Sequence, residues 1–178
     1  MSFVLSTVVA LVWLFLARWH LAIANDLGSP DKDTPFVIDE PTIAQAIFGR
    51  VDEGKPVEYY TFSTQQGTGV RAMLLIPAQS YANGLRATIT LHGPELPIEG
   101  ITPPLLDSPL TIAGREYVLV QSHVPPLPAT GEYRLEVHQQ EGSGAYCLCL
   151  GDREGGHADA AMRARIERVL SGEDMMAS

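Results

Sequence analysis

The sequence predicts an all-β protein, an antiparallel β-sandwich of jelly-roll-like form, and three observations carry that reading. Residues 133–137 and 146–150 place large apolar side chains at every second position, the pitch of a strand with one buried face. Turn signals recur between such runs, at Gly54, Gly67 and Gly69, Asn83-Gly84, Gly131, and Gly142-Ser143-Gly144. The one clear helical period comes last, after residue 151.

Bulk composition fits that class. Of 178 residues, 46 % are hydrophobic, with 13 proline and 16 glycine, so the chain can bury a core and must turn often. A formal charge of −9 sets the surface against nucleic-acid backbones and anionic lipid, so no nucleic-acid partner is expected. Cations, basic partners and plain solubility all remain compatible with it.

Residues 1–24 form a hydrophobic N-terminal segment. Positions 3–17 carry no charge, and Ala22-Ile23-Ala24 has the A-x-A form of a signal-peptide cleavage site. No Lys or Arg precedes the run, while Arg18 and His20 follow it, which suits an uncleaved anchor instead. Counted to Ala24, the segment is long enough to span a bilayer, with Trp13 and Trp19 as interface residues. Signal peptide and membrane anchor both stand. They put the remainder in the periplasm or outside the cell, or tethered to the cytoplasmic membrane through residues 3–24.

Residues 25–41 hold four Asp, one Glu and three Pro and read as a linker. Asp31-Lys32-Asp33 lacks the further oxygen ligands and the glycine of a calcium loop. The sandwich is expected over residues 42–151. Its first run, 43–50, has apolar groups on both faces. Residues 57–63 put Glu58, Tyr60 and Phe62 on one face, with the two aromatics as the core pair. Residues 70–76 stop at Pro77, and after Asn83-Gly84 residues 85–91 alternate cleanly, with Leu85, Ala87, Ile89 and Leu91 inward. Residues 92–115 hold five Pro and read as an irregular loop. A strand resumes at 116–122, and two more close the domain on either side of Gly142-Ser143-Gly144. That pair is expected to lie side by side, with Tyr133, Leu135, Val137, Tyr146, Leu148 and Leu150 as one wall of the core. Residues 152–178 open with a turn. Met162, Ile166, Val169 and Leu170 then stripe one side of a short amphipathic helix, which needs a docking surface.

Residues 47–51 (IFGRV) and 58–62 (EYYTF), with 127–137 (LPATGEYRLEV) and 144–151 (GAYCLCLG), together resemble the bacterial pre-peptidase C-terminal domain. The resemblance covers residues 42–151. It implies a small secreted β-sandwich of the kind appended to exported proteases. Two departures are visible: no peptidase precedes the domain, and Glu58 stands where that family usually has an aspartate before its aromatic pair. Fold and exported context follow from the resemblance, and no binding residue does.

Cys147 and Cys149 fall between the core positions of the last strand and point to its other face. Residues i and i+2 sit poorly for a disulfide, and the chain has no third cysteine. Three readings remain: small apolar residues under the C-terminal helix, ligands of copper(I) or zinc, or an intermolecular bridge or redox exchange. In the side-by-side pairing, Arg134, Glu136 and His138 share the face of the cysteines, so the metal reading takes Cys147, Cys149 and His138 as ligands. His92, His123 and His157 read as surface or turn residues. Motifs of hydrolases, metalloproteases and phosphate-binding loops do not occur, so no catalytic residue and no cofactor is assigned. The resulting expectation is an exported, non-catalytic accessory or binding module whose partner is a protein, peptide, glycan or other envelope component. The alternative is an envelope metal-handling protein.

Intact-mass analysis of protein from the producing cell separates the two N-terminal readings. A chain starting at Asn25 is the outcome expected of a signal peptide. A full-length chain extracted only by detergent is the outcome expected of an anchor.

Overall fold

The computed structural model describes residues 21–24, 31–153 and 158–172. Ten strands form two sheets: β1 (Leu21–Ala24), β2 (Phe36–Val37), β3 (Gln45–Val51), β4 (Val57–Thr64), β5 (Ala72–Pro77), β6 (Arg86–His92), β7 (Ser108–Ile112), β8 (Arg115–His123), β9 (Gly131–Glu141) and β10 (Gly144–Leu150). The six-stranded sheet has the order β1-β3-β10-β5-β8-β7, and the four-stranded sheet β2-β4-β9-β6. Two helices are described, α1 (Ala78–Ala82) and α2 (Ala160–Ser171). The result is a mostly-β, two-sheet sandwich with a short C-terminal helix.

Alternation does what it should inside the sandwich. Tyr60, Phe62, Leu85, Ile89, Tyr133, Leu135, Val137, Tyr146, Leu148 and Leu150 are all buried in the core between the sheets. The pairing differs from the expectation in one respect with large consequences. β9 and β10 do not lie side by side. β9 pairs with β4 and β6, whereas β10 pairs with β3 and β5 in the opposite sheet. Gly142 and Ser143 carry the chain across the sandwich. Gly142 has a φ of 61°, and a side chain there would press on the Gly84 backbone. Tyr133, Leu135 and Val137 therefore face Tyr146, Leu148 and Leu150 across the core. Period-two alternation tells which side chains point inward, but not which strand is the neighbour.

The sheet also extends beyond the expected span. Phe36–Val37, inside the stretch read as linker, pairs in parallel with β4, and Ile38 is 2 % exposed. Leu21–Ala24 pairs in parallel with β3, so both sheets have a parallel edge strand on an otherwise antiparallel frame. Cleavage after Ala24 would remove β1. The apolar run at 3–17 lies outside the described residues, and no described helix is long and apolar enough to cross a membrane. Part of the proline-rich segment is a strand too: β7 pairs with β8 through a turn at Ala113-Gly114, both with positive φ, as the two-residue hairpin turn requires. The rest of that segment is pinned to the sheet by Gln121, which accepts from Ile89 N and donates to the Pro103 carbonyl.

The C-terminal helix forms as its stripe predicts. Asp159 caps it by accepting from Met162 N at 2.7 Å, and Gly172 closes it in the left-handed conformation. Ile166 and Val169 are buried against Phe48 of β3. Arg115 on β8 grips Glu167 with both oxygens at 2.5 and 2.7 Å, an exposed pair that orients the helix more than it stabilises it.

Two substitutions test this packing. Leu148→Ala should cost about 2–5 kcal/mol, the usual toll of a truncated core leucine. Gly49→Ala should cost about 1–3 kcal/mol, because the added methyl collides with the Tyr146 hydroxyl in a filled interior. Urea denaturation of each variant beside the parent reads both. A midpoint unmoved by Leu148→Ala would contradict the core placement.

Candidate functional site

Three groups of polar or reactive side chains stand out, and the sandwich keeps them apart. The first lies inside the core. Glu58 of β4 is fully buried, with Tyr60 beside it and Tyr146 reaching across from the other sheet. Tyr146 donates to Glu58 Oε2 at 2.5 Å, and the Tyr60 hydroxyl lies 3.0 Å from that oxygen and 2.5 Å from Tyr146 Oη. Lys55 Nζ sits 2.6 Å from Glu58 Oε1 and supplies the countercharge. A buried carboxylate needs this much compensation. Burial, then the neighbouring Tyr60 and Glu58, push the Tyr146 phenol far above its usual range. It donates a hydrogen bond and does not ionise.

The second group is the cysteine pair. Cys147 and Cys149 are each 2 % exposed on the outer side of β10, their sulfurs 3.6 Å apart and unbonded. Met73 and Leu75 of β5 and Tyr117 and Leu119 of β8 complete an apolar cluster around them. The contact with Cys149, together with burial, pushes the Cys147 thiol well above its usual range. A neutral, enclosed thiol is a poor metal ligand and a poor nucleophile. His138, the third expected ligand, is on β9 in the opposite sheet. The set Cys147, Cys149 and His138 is therefore split between two sheets, for the same reason that β9 and β10 do not pair. Among the described residues no group of His, Cys, Asp and Glu is arranged to hold a metal.

The third group lies on the outer face of the four-stranded sheet. Arg134, Glu136 and His138 follow one another along β9, and His92 of β6 reaches the same carboxylate. Arg134 Nε is 2.7 Å from Glu136 Oε1, and His138 Nε2 is 2.8 Å and His92 Nε2 3.6 Å from Oε2. Burial raises the Glu136 carboxyl, but the Arg134 hydrogen bond and the charges of His92, Arg134 and His138 outweigh it and hold the group below its usual range. Tyr59 of β4 and Thr90 of β6 lie opposite Glu136 on either side, and Thr90 hydrogen-bonds Thr102. α2 lies over the other sheet, so no described helix covers this face. Sequence reasoning put Arg134, Glu136 and His138 on one face but took His92 for a surface residue. The signal for His92 was its outward phase on β6, beside Thr88 and Thr90. His123 is buried and held below its usual range by desolvation, hence neutral. His157 lies outside the described residues. A polar cleft of about 860 Å³ also opens where α2 meets the β7–β8 turn, with Arg50, Arg115, Tyr117 and Glu167 in its wall.

The structure is similar to the pre-peptidase C-terminal domain of collagenase from Bacillus anthracis, at 16 % identity and a TM-score of 0.41 over 66 % of this chain and 94 % of that one. It is also similar to PliG of Aeromonas hydrophila, a periplasmic lysozyme inhibitor of g-type lysozyme, at 11 % identity and a TM-score of 0.33 over 75 % of this chain and 96 % of that one. The first is a domain of the kind that residues 47–51, 58–62, 127–137 and 144–151 resemble. No family model and no curated protein matches the sequence.

Two outcomes check the electrostatics. Tyr146→Phe should destabilise by about 1–3 kcal/mol, because Glu58 loses a buried donor. For Glu136 the folded-state carboxyl titrates below the ordinary value of 4.5, so folding favours its ionised form. That stabilisation is fully present above the unfolded value and is lost as the pH falls through the folded one. Carbon-detected NMR titration should show the low value and its rise in Arg134→Met.

Proposed function

We propose that this chain is a non-catalytic binding module of the bacterial envelope and that its ligand seats on the outer face of the four-stranded sheet. The observation that carries this reading is the array of Arg134, Glu136, His138 and His92. It is half-buried, cross-linked by hydrogen bonds and carries hydroxyl groups and Tyr59 at its flanks. Such a rigid polar surface recognises by hydrogen bonding, and it suits an uncharged ligand rich in hydroxyl groups, such as an envelope glycan. The non-catalytic part is supported by where the reactive groups sit. Tyr146 and Glu58 are sealed in the core and the thiols are enclosed, so no substrate meets them. The envelope location is supported by the apolar run at 3–17 and the A-x-A at 22–24.

Calorimetry against purified acidic cell-wall polysaccharide and a neutral glycan of equal length tests the reading. The neutral glycan should bind the more tightly, and Arg134→Ala and His138→Ala should each weaken its binding by about tenfold or more, the value of a lost charge-assisted hydrogen bond. Thr111→Ala, in the cleft beside α2, should leave it unchanged. Binding that is insensitive to Arg134 and His138 would sink the assignment of the face.

A further inference from the structure

One row of paired residues gives the outer face of the six-stranded sheet an uneven profile. Arg50 of β3 pairs with Ala145 of β10, and Pro77 of β5 pairs with Tyr117 of β8. Carrying the pairing of Cys147 with Leu75 two residues further sets Ala145 opposite Pro77 and closes the row. All four have the outward phase of Phe48, Cys147, Leu75 and Leu119. Two long side chains therefore start about 14 Å apart, three strand spacings, with two short ones between them. That dip is the floor of the cleft of about 860 Å³. α2 raises one wall through Glu167 and Ser171, and α1 raises another through Gln79 and Ser80.

Both long side chains end in donors with nothing to bond. Arg50 is half-buried, and its guanidinium lies beside Gly172 at the end of α2. Among the described residues it has no hydrogen bond and no ion pair, in a chain where 21 acidic residues face 12 Lys and Arg. Tyr117 is 5 % exposed, and its hydroxyl also lacks a hydrogen-bond partner among the described residues. That hydroxyl opens to the cleft and not into packed protein. Burial, then the neighbouring Cys147, push the phenol above its usual range, so it keeps its proton and donates. Arg115, in the same wall, differs in being committed to Glu167.

We infer that this cleft is a second binding site, which takes a small molecule by one oxyanion, a carboxylate or a phosphate, between Arg50 and Tyr117. A guanidinium fork matches two oxygens of either group, and a phenol that stays neutral adds a donor without repulsion. The volume is that of a small-molecule site. Glu116 stands at the exposed rim, in the opposite strand phase from Tyr117, and repels a second anionic group. The ligand therefore carries a single anion, and its remainder meets the polar side chains of Gln79 and Ser80. The site lies on the opposite sheet from the array around Glu136, and neither assignment depends on the other.

The test uses the full chain at low salt, with inorganic phosphate and N-acetylglycine as the two anions and N-acetylglycinamide as the uncharged control. NMR follows the Arg50 Nε–H and the Tyr117 ring. At least one anion should move both sets of signals along one saturable curve, and the uncharged control should move neither. The anion that responds tells a carboxylate from a phosphate source, and a response to both assigns the shared oxyanion. Arg50→Gln should weaken the response by about tenfold or more and Tyr117→Phe by about fivefold. Arg163→Gln, which removes an exposed charge of α2 outside the cleft, should change nothing. Arg50→Lys keeps the charge without the fork and should fall between. Should Arg50→Gln not fold, Arg50→Lys and Tyr117→Phe decide. Silence from both anions would overturn the inference. So would shifts that never saturate, shifts as sensitive to Arg163→Gln as to the Arg50 variants, or an affinity that the Arg50 variants and Tyr117→Phe leave unchanged.

Discussion

β10 has no wet side. Tyr146, Leu148 and Leu150 enter the core, Cys147 and Cys149 enter a second apolar cluster, and all seven residues of the strand are buried. A strand of this kind can sit only inside a sheet and only under a roof. Its flanks must be strands that share the demand, and β5 does: Leu74 and Ile76 face inward while Met73 and Leu75 face outward. Three layers follow from that one constraint, with the four-stranded sheet on one side and, among the described residues, α2 over β1, β3 and β10 on the other. The polar chemistry is then left with the far side of the thinner sheet, where Glu136 and its partners lie.

Two polar ties join the layers in the interior: Gln121 of β8 accepts from Ile89 N of β6, and Tyr146 meets Glu58. Tyr146 comes from the six-stranded sheet and Glu58 from the four-stranded one, so their hydrogen bond fixes how the two sheets sit over each other. Apolar side chains pack in more than one register at little cost, whereas a buried carboxylate accepts few arrangements. Gly49 clears the space that the Tyr146 hydroxyl needs. The cluster is a positional device, and Lys55 at its mouth keeps the charge balanced.

Much of this was legible in the sequence and some was not, for physical reasons. Inward residues could be named on β4, β6, β9 and β10 because alternation is a property of one strand alone. The stripe of α2 was readable for the same reason. Partner strands were not readable, since they depend on residues roughly forty to a hundred positions away, and this hid both the split of β9 from β10 and the separation of His138 from the cysteines. β2 and β7 were too short or too proline-rich to show a period. The continuous apolar run at 72–76 carries the mark of burial on both faces, and that mark went unread. Glu58 was placed on the core face, and a carboxylate in that phase was the one local sign of the buried cluster.

The chain order of these strands has a kinetic side. β10 emerges last among the strands, yet it fills the gap between β3 and β5. Until residue 150 has been made, those two strands have no shared neighbour and expose unpaired, apolar edges. β4 likewise waits for β9, whose paired residues lie about seventy to eighty positions downstream. Contacts this distant make folding slow and late, and a nascent chain that holds sticky edges is exposed to aggregation throughout synthesis. The same delay keeps the chain loose and threadable until its last strand arrives.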